Sequence, residues 1–185
     1  MDSLAKLFGS PARVKLLRLF FFNEELSFTA ATAASRAKIS LAVARKEIAA
    51  LVSAGIFKKR SGGYMVDKRF THHEALFTFL RSTTELRDGV ILDILKRAGS
   101  LRLVVLSGLF SGTIETKVDV LVVGDRLDDR ALTTAIQKLE AELGRELRYA
   151  SFSTEDFRYR RGVYDRLIRD VFDYPRRVIL DKIGV

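Results

Sequence analysis

Apolar positions recur at helical spacing early in the chain. Ser10 and Pro11 form a start signal, because serine can cap a helix and proline suits its first turn. Val14, Leu17 and Phe21 then fall on one face, which Leu16 and Phe20 widen. Asn23, Glu24 and Glu25 end the segment. Ser27-Phe28-Thr29 is expected to open a second helix running to about Arg36. Its small residues Ala30, Ala31, Ala33 and Ala34 permit close approach of a neighbouring helix. Lys38-Ile39-Ser40 reads as a short turn, with Ser40 placed to cap a third helix. In that helix Ala44, Ile48, Leu51 and Val52 form one stripe, and Gly55 closes it where a left-handed residue is wanted. Ile56-Phe57, a basic cluster, Ser61-Gly62-Gly63 and Tyr64-Met65-Val66 then predict a two-stranded hairpin with a glycine tip. A further helix is expected from about Thr71 to Leu86, with Leu76, Phe77, Phe79 and Leu80 on its apolar side. Another follows from about Asp88 to Arg97.

From Leu101 the rhythm changes. Arg102 to Ser107 and Val118 to Val123 are short, nearly continuous apolar runs of the kind that form buried strands. A helix is expected from about Asp128 to Leu143, with Leu132, Ile136, Leu139 and Leu143 at helical intervals. A strand near Glu146–Phe152 and a single helix from about Thr154 to Val171 complete the pattern. Val178-Ile179-Leu180 reads as a short strand or a terminal turn. The predicted fold class is α+β, with two domains at residues 1–86 and 87–185 and no low-complexity linker between them.

Composition narrows the chemistry. Of 185 residues, 48% are apolar and 30% charged, which is a globular balance with enough material for a core. The absence of cysteine excludes disulfides and thiolate metal sites. The two histidines, His72 and His73, are adjacent; on a helix they point ~100° apart and cannot chelate together, so both are expected to be structural. The first apolar stretch carries Lys6, Arg13, Lys15 and Arg18 through its middle, unlike a signal peptide. No run of ~20 apolar residues is available to span a bilayer. A cytoplasmic protein is expected, with no membrane partner and no cofactor. The net charge of +9 is uneven: residues 1–86 hold 14 Lys and Arg against 7 Asp and Glu, and residues 87–185 hold 18 against 16. Basicity concentrated in the first half favours a polyanionic partner there.

The order of elements in that half has a physical logic. A third helix that enters a major groove ~12 Å wide must be apolar on one side and polar on the other. Ala44, Ile48 and Leu51 are its inward set. Ser40, Leu41, Ala42, Arg45, Lys46 and Ala49 are left facing outward. Arg45 can bond a guanine edge or a phosphate, and Lys46 suits phosphate. Lys58, Lys59 and Arg60 stand on the hairpin. Residues 4–70 resemble winged-helix regulators of the ArsR and MarR type, through Ala37-Lys38-Ile39-Ser40, the aliphatics at 44, 48 and 51, and Ala54-Gly55-Ile56-Phe57-Lys58. The resemblance implies a winged helix-turn-helix contacting double-stranded DNA, commonly as a homodimer. The helix from Thr71 to Leu86 would then serve as a dimer seam or pack on the second domain. Use of the same module for protein contact alone is the plainer alternative.

In the second half, Leu106-Ser107-Gly108-Leu109-Phe110-Ser111-Gly112 followed by Lys117-Val118-Asp119-Val120 resembles the minimal nucleotidyltransferase fold, over residues 88–185. That family implies a small α/β domain with a mixed sheet, a Gly-Ser turn cradling a phosphate, and two carboxylates one residue apart on a strand. A third acid comes from a later strand, and together the acids hold two magnesium ions. Here the pattern departs from the family. Lys117 occupies the first acid position, Arg148 falls where the later acid belongs, the Gly-Ser pair is reversed as Ser107-Gly108, and Ser111 replaces a basic residue. Asp119 alone remains, either as part of a ligand site with Ser107, Gly108 and Ser111 or as a strand-edge acid paired with Arg148 or another nearby cation. The expected function is therefore a DNA-binding transcriptional regulator. Its transferase-like domain is non-enzymatic and serves dimerisation or the sensing of a small anionic or nucleotide ligand, with no metal. The alternative is an active, antitoxin-like nucleotidyltransferase with an autoregulatory winged helix, and a third reading is a pure scaffold. The run Arg158-Tyr159-Arg160-Arg161 is read as a solvated face, with an extension of the DNA footprint or the binding of an anion as the alternative.

Overall fold

The computed structural model describes residues 3–112 and 115–185, which form two compact units: residues up to 86 with 137–145, and 87–136 with 146–185. The chain is mixed α+β. Among the described residues no helix is long and apolar enough to cross a membrane.

The first unit begins with a short helix, α1 (Ser3–Leu7), followed by α2 (Pro11–Phe21). Ser10 caps α2 through a hydrogen bond from the Arg13 N–H to its hydroxyl oxygen, and Pro11 opens the helix. α3 (Ala30–Ala37) and α4 (Leu41–Ser53) follow, then a hairpin of β1 (Phe57–Arg60) and β2 (Gly63–Val66), and α5 (His73–Thr83). Phe20 is the hub of the core. Its ring stacks on Phe57 of β1 at 4.2 Å and meets Phe28 edge-on at 5.1 Å, so one side chain of α2 ties down the hairpin and the segment before α3. Leu17, Ile48, Leu51 and Val66 fill the same cluster. Arg18, on the same helix, is also buried, and its guanidinium donates to the Thr83 and Glu142 carbonyls inside this unit.

Ser27 and Phe28 do not begin a helix, contrary to the reading of the sequence. Phe28 is extended and exchanges two 2.9 Å backbone hydrogen bonds with Tyr64, adding a one-residue third strand to the hairpin, and Thr29 caps α3 instead. The aromatic ring accounts for the difference: Phe28 gains more by reaching Phe20 than by sitting in the first turn of an alanine-rich helix. The turn at the hairpin tip is Ser61-Gly62, and Gly63 already belongs to β2, paired with Arg60. Gly63 is required there. A Cβ at this position would lie 2.4 Å from the Phe28 carbonyl oxygen.

The second unit carries α6 (Asp88–Leu95) with a 3₁₀ turn at Lys96–Ala98, β3 (Ser100–Leu106), β4 (Val120–Asp125), α7 (Asp129–Leu143), β5 (Tyr149–Phe152), α8 (Thr154–Gly162), α9 (Arg166–Asp173) and β6 (Arg177–Asp181). Residues 137–145, the second half of α7 and its exit, cluster with the first unit. The sheet has the order β5-β4-β3-β6. β4 and β5 are parallel across the α7 crossover and the other pairs are antiparallel. Leu103, Val105, Leu121 and Val123 face Phe157, Ile168 and Val171 of α8 and α9. The alternate residues Val104, Leu106, Val120 and Val122 are equally buried on the other face, which explains the unbroken apolar runs.

The expected helix over 154–171 is two helices. Val163 and Tyr164 break it, Tyr164 adopts a left-handed φ of 54°, and Asp165 caps α9 by accepting from the Leu167 and Ile168 N–H groups. Residues 177–181 form a strand rather than a terminal turn.

Replacing Gly63 by alanine is expected to cost more than replacing Gly62. At Gly62 (φ 91°) a Cβ meets open space and only backbone strain opposes it, about 1 kcal/mol. At Gly63 the Phe28–Tyr64 bridge must also give way, for a total of about 2–3 kcal/mol. Urea denaturation of the two variants measures the difference; equal costs would show that the bridge contributes nothing.

Candidate nucleic-acid interface

The relation of α3 to α4 is set by caps at both ends of the short turn between them. Thr29 holds the start of α3 by accepting from the Thr32 N–H at 3.0 Å. Lys38 ends it in the left-handed region, with φ 52°. One residue later Ser40 caps α4, its hydroxyl accepting from the Val43 N–H at 3.3 Å. Ala33, Ala34 and Ala37 are buried, so the two helices approach closely.

Burial orients α4. Ala44, Glu47, Ile48 and Leu51 are buried, whereas Leu41, Ala42, Arg45, Lys46 and Ala49 are exposed. Glu47 is the residue that reading the sequence missed. It is only 6% exposed, and its carboxylate accepts from Arg13 Nε of α2 at 2.8 Å. Arg13 also donates to the Phe8 carbonyl at 3.0 Å. The signal was present in the sequence: Glu47 lies three residues after Ala44 and four before Leu51, on the apolar stripe. Arg45 and Lys46 form no ion pair or hydrogen bond with a described residue.

The hairpin cations divide. Lys58 is half-buried and donates to Asp67 Oδ1 at 3.1 Å. Asp67 also accepts from the Arg69 side chain and N–H, and these bonds, with Lys58, hold its carboxyl far below the usual range. Lys59 and Arg60 are exposed and have no such partner. The structure therefore brings Arg45, Lys46, Lys59 and Arg60 out as free cations of one unit and commits Lys58 to the hairpin.

α5 is not an open apolar seam. Leu80 lies in the core, Leu76 and Phe77 pack on it, and Phe77 and Phe79 meet the rings of Phe22 and Phe8. His73 is buried against the Phe21 ring, 2.7 Å from Glu24, and His72 is exposed.

In the second unit Ser107, Gly108 and Asp119 come together where β3 ends and β4 begins. Asp119 is 3% exposed and both of its oxygens are engaged. Oδ1 accepts from the Leu109 N–H (2.9 Å) and an Arg148 terminal nitrogen (2.9 Å). Oδ2 accepts from the Arg148 N–H (2.8 Å) and Nε (3.1 Å). Burial alone would push the Asp119 carboxyl up. The Arg148 side chain, the two N–H groups and the guanidinium charge outweigh it and hold the pKa below the ordinary carboxylate value. Of the two roles open to Asp119, the structure therefore shows the acid paired with Arg148.

The reversed Ser-Gly order follows from this pairing. A Cβ at residue 108 would lie 2.2 Å from Asp119 Oδ1, and Gly108 has φ 51°. The Ser107 hydroxyl is buried and donates to the Val118 carbonyl at 2.5 Å. Ser111 is half-buried and closes the 3₁₀ turn Gly108–Phe110, its N–H donating to the Gly108 carbonyl. Two participants escaped the sequence reading: Asp170 of α9, which accepts from the Lys117 N–H at 2.7 Å, and Thr116, fully buried beside Gly108. Among the described residues no group of three or more histidine, aspartate or glutamate side chains is placed to hold a metal ion. Of the run near 160, Arg160 stacks over Phe152 and pairs with Asp165, whereas Arg158 and Arg161 are exposed.

Comparison of this chain with protein-family models, with curated proteins and with solved structures finds no match.

Asp119→Ala is expected to destabilise the chain by about 3 kcal/mol at pH 7. It strands two N–H groups and a guanidinium, of which only the half-exposed guanidinium can rehydrate. Because the folded pKa is depressed, the stabilisation is complete above the unfolded value of about 3.9 and disappears as pH falls through the folded one. The stability gap between parent and variant, measured by urea unfolding, should narrow towards pH 3. A gap independent of pH would contradict this assignment.

Proposed function

We propose that the protein is a DNA-binding transcriptional regulator whose first unit is a winged helix. α4 enters the major groove, and the β1–β2 hairpin rests on the flanking backbone. The observation that carries this reading is the division of charge on α4. Its one carboxylate is buried against Arg13, while Arg45 and Lys46 stand exposed and unpaired on the opposite face. A helix held this way offers only cations to the outside, the arrangement that phosphate and guanine edges attract. Lys59 and Arg60 extend the same field from the hairpin.

In this reading the transferase-like unit is not catalytic. Two-metal phosphoryl transfer needs carboxylates with free oxygens, and both oxygens of Asp119 are committed to hydrogen bonds with Arg148 and Leu109. Its role is support, dimerisation or the binding of a small anion, which would meet exposed Lys117 and the half-exposed guanidinium of Arg148. Two copies on a two-fold operator are expected. Their seam lies away from the apolar residues of α5, which are spent inside the unit.

The test separates the two groups of cations. Arg45→Ala with Lys46→Ala should remove sequence-specific binding without unfolding the chain, with loss of a bidentate base contact costing about 1–3 kcal/mol. Replacing Lys59 and Arg60 by alanine should weaken binding to all duplexes alike. It should also reduce the slope of log affinity against log salt by about 1.8, at about 0.9 per phosphate contact. Adding Lys58→Ala should leave that slope where the double variant put it. Parental affinity in the α4 variant, or a parental slope in the hairpin variant, would contradict the proposal.

A further inference from the structure

We infer that the side chains of α4 itself read DNA through hydrogen-bond donors and methyl groups alone, so that they select guanine and thymine and engage no base through its amino group. The inference rests on the winged-helix reading and specifies what that helix recognises.

The outer face of α4 is chemically one-sided. Between Leu41 and Ser53 there is no asparagine, glutamine, aspartate or threonine, and the one glutamate is locked inward on Arg13 at 2.8 Å. Ala42, Lys46, Ala49 and Ser53, at i, i+4, i+7 and i+11, make the middle of the exposed face, with Arg45 beside them. Ser53, the last residue, lies about 16 Å along the axis from Ala42, beyond the span that a helix crossing a groove brings to base edges. Ser40 precedes the helix as its cap, and its oxygen spends one of its two lone pairs on the Val43 N–H; it is not one of the helix's own reading side chains.

What remains to meet base edges is the Arg45 guanidinium, the Lys46 ammonium and the side chains of Leu41, Ala42, Val43 and Ala49. Val43 and Leu41 are 40% and 38% exposed, unusually open for their type. None of these groups accepts a hydrogen bond. The exocyclic amino groups of adenine and cytosine therefore find no partner, whereas guanine presents N7 and O6 to the Arg45 fork and thymine presents its methyl to the aliphatic side chains. The alanines at 42 and 49 add a second effect: with one carbon each, they let the helix backbone approach the groove floor, which shortens the reach required of Arg45.

Base analogues test this directly on the full chain. A preferred duplex is first selected from a random pool. Each guanine is then replaced by 7-deazaguanine, which lacks N7, and each thymine by deoxyuridine, which lacks the methyl. The expected result is at least one guanine whose replacement weakens binding about tenfold, and at least one thymine whose replacement weakens it about fourfold, the worth of one buried methyl. Arg45→Ala should bind the natural and the 7-deaza site equally. Arg45→Lys, which keeps the charge without the fork, should keep the salt slope and lose the discrimination. Specific binding indifferent to both analogues would overturn this inference while leaving the DNA-reading function in place. Failure to bind any duplex at low salt would overturn both.

Discussion

The packing of α4 onto α2 is the constraint on which the proposed DNA-contacting face depends. Ala44, Ile48 and Leu51 set the rotation of the helix about its axis, and the Glu47–Arg13 ion pair locks it. The pair also removes the one negative charge that would otherwise stand near Arg45 and Lys46. A glutamate on the outer face would repel phosphates and could neutralise a neighbouring arginine at i−2 or beyond through solvent. Turned inward, it instead consumes a cation of α2. The electrostatics of the surface thus follow from a packing decision in the core, and the same decision leaves the outer face of α4 without a carboxylate.

The second unit shows the opposite use of a carboxylate. Asp119 does not face outward to bind anything; it joins three segments that are distant in sequence. From the entry to β4, its two oxygens hold the turn at Leu109 and both the backbone and the side chain of Arg148. That convergence demands a glycine at residue 108, because no Cβ fits beside Oδ1. A sheet of this kind with an acid at the edge of a central strand can place a catalytic group or a clamp there. Arginine rather than a carboxylate at 148 makes it a clamp.

Much of this was legible in the sequence, and the failures have identifiable causes. The caps at Ser10 and Ser40, the apolar stripe of α4, the left-handed Gly55 and both buried strand runs are local signals and survive folding. Phe28 was misread because its destination, the Phe20 ring and the Tyr64 backbone, is a tertiary partner that no local pattern announces. The break between α8 and α9 was misread because Tyr164, not a glycine, takes the left-handed position, and helical periodicity continues across it. The uniform basic run Lys58-Lys59-Arg60 hides a division: strand alternation turns Lys58 away from Lys59, towards Asp67 nine residues later. Of the candidate ligand residues, Ser107, Gly108 and Asp119 lie together, and each is engaged with the others or with the backbone, a set of tertiary contacts that no local pattern announces.

The central claim is that α4 and the hairpin form a DNA-contacting face. It is tested most directly by following backbone amide resonances of the labelled protein while a mixed-sequence duplex is added at low salt. The account predicts amide shifts concentrated at Ser40 to Ala50 and at Lys59 and Arg60, with little change at the Asp119–Arg148 clamp. Shifts confined to the second unit, or none at duplex concentrations in the range of non-specific affinities of about 10⁻⁴–10⁻⁶ M, would contradict it.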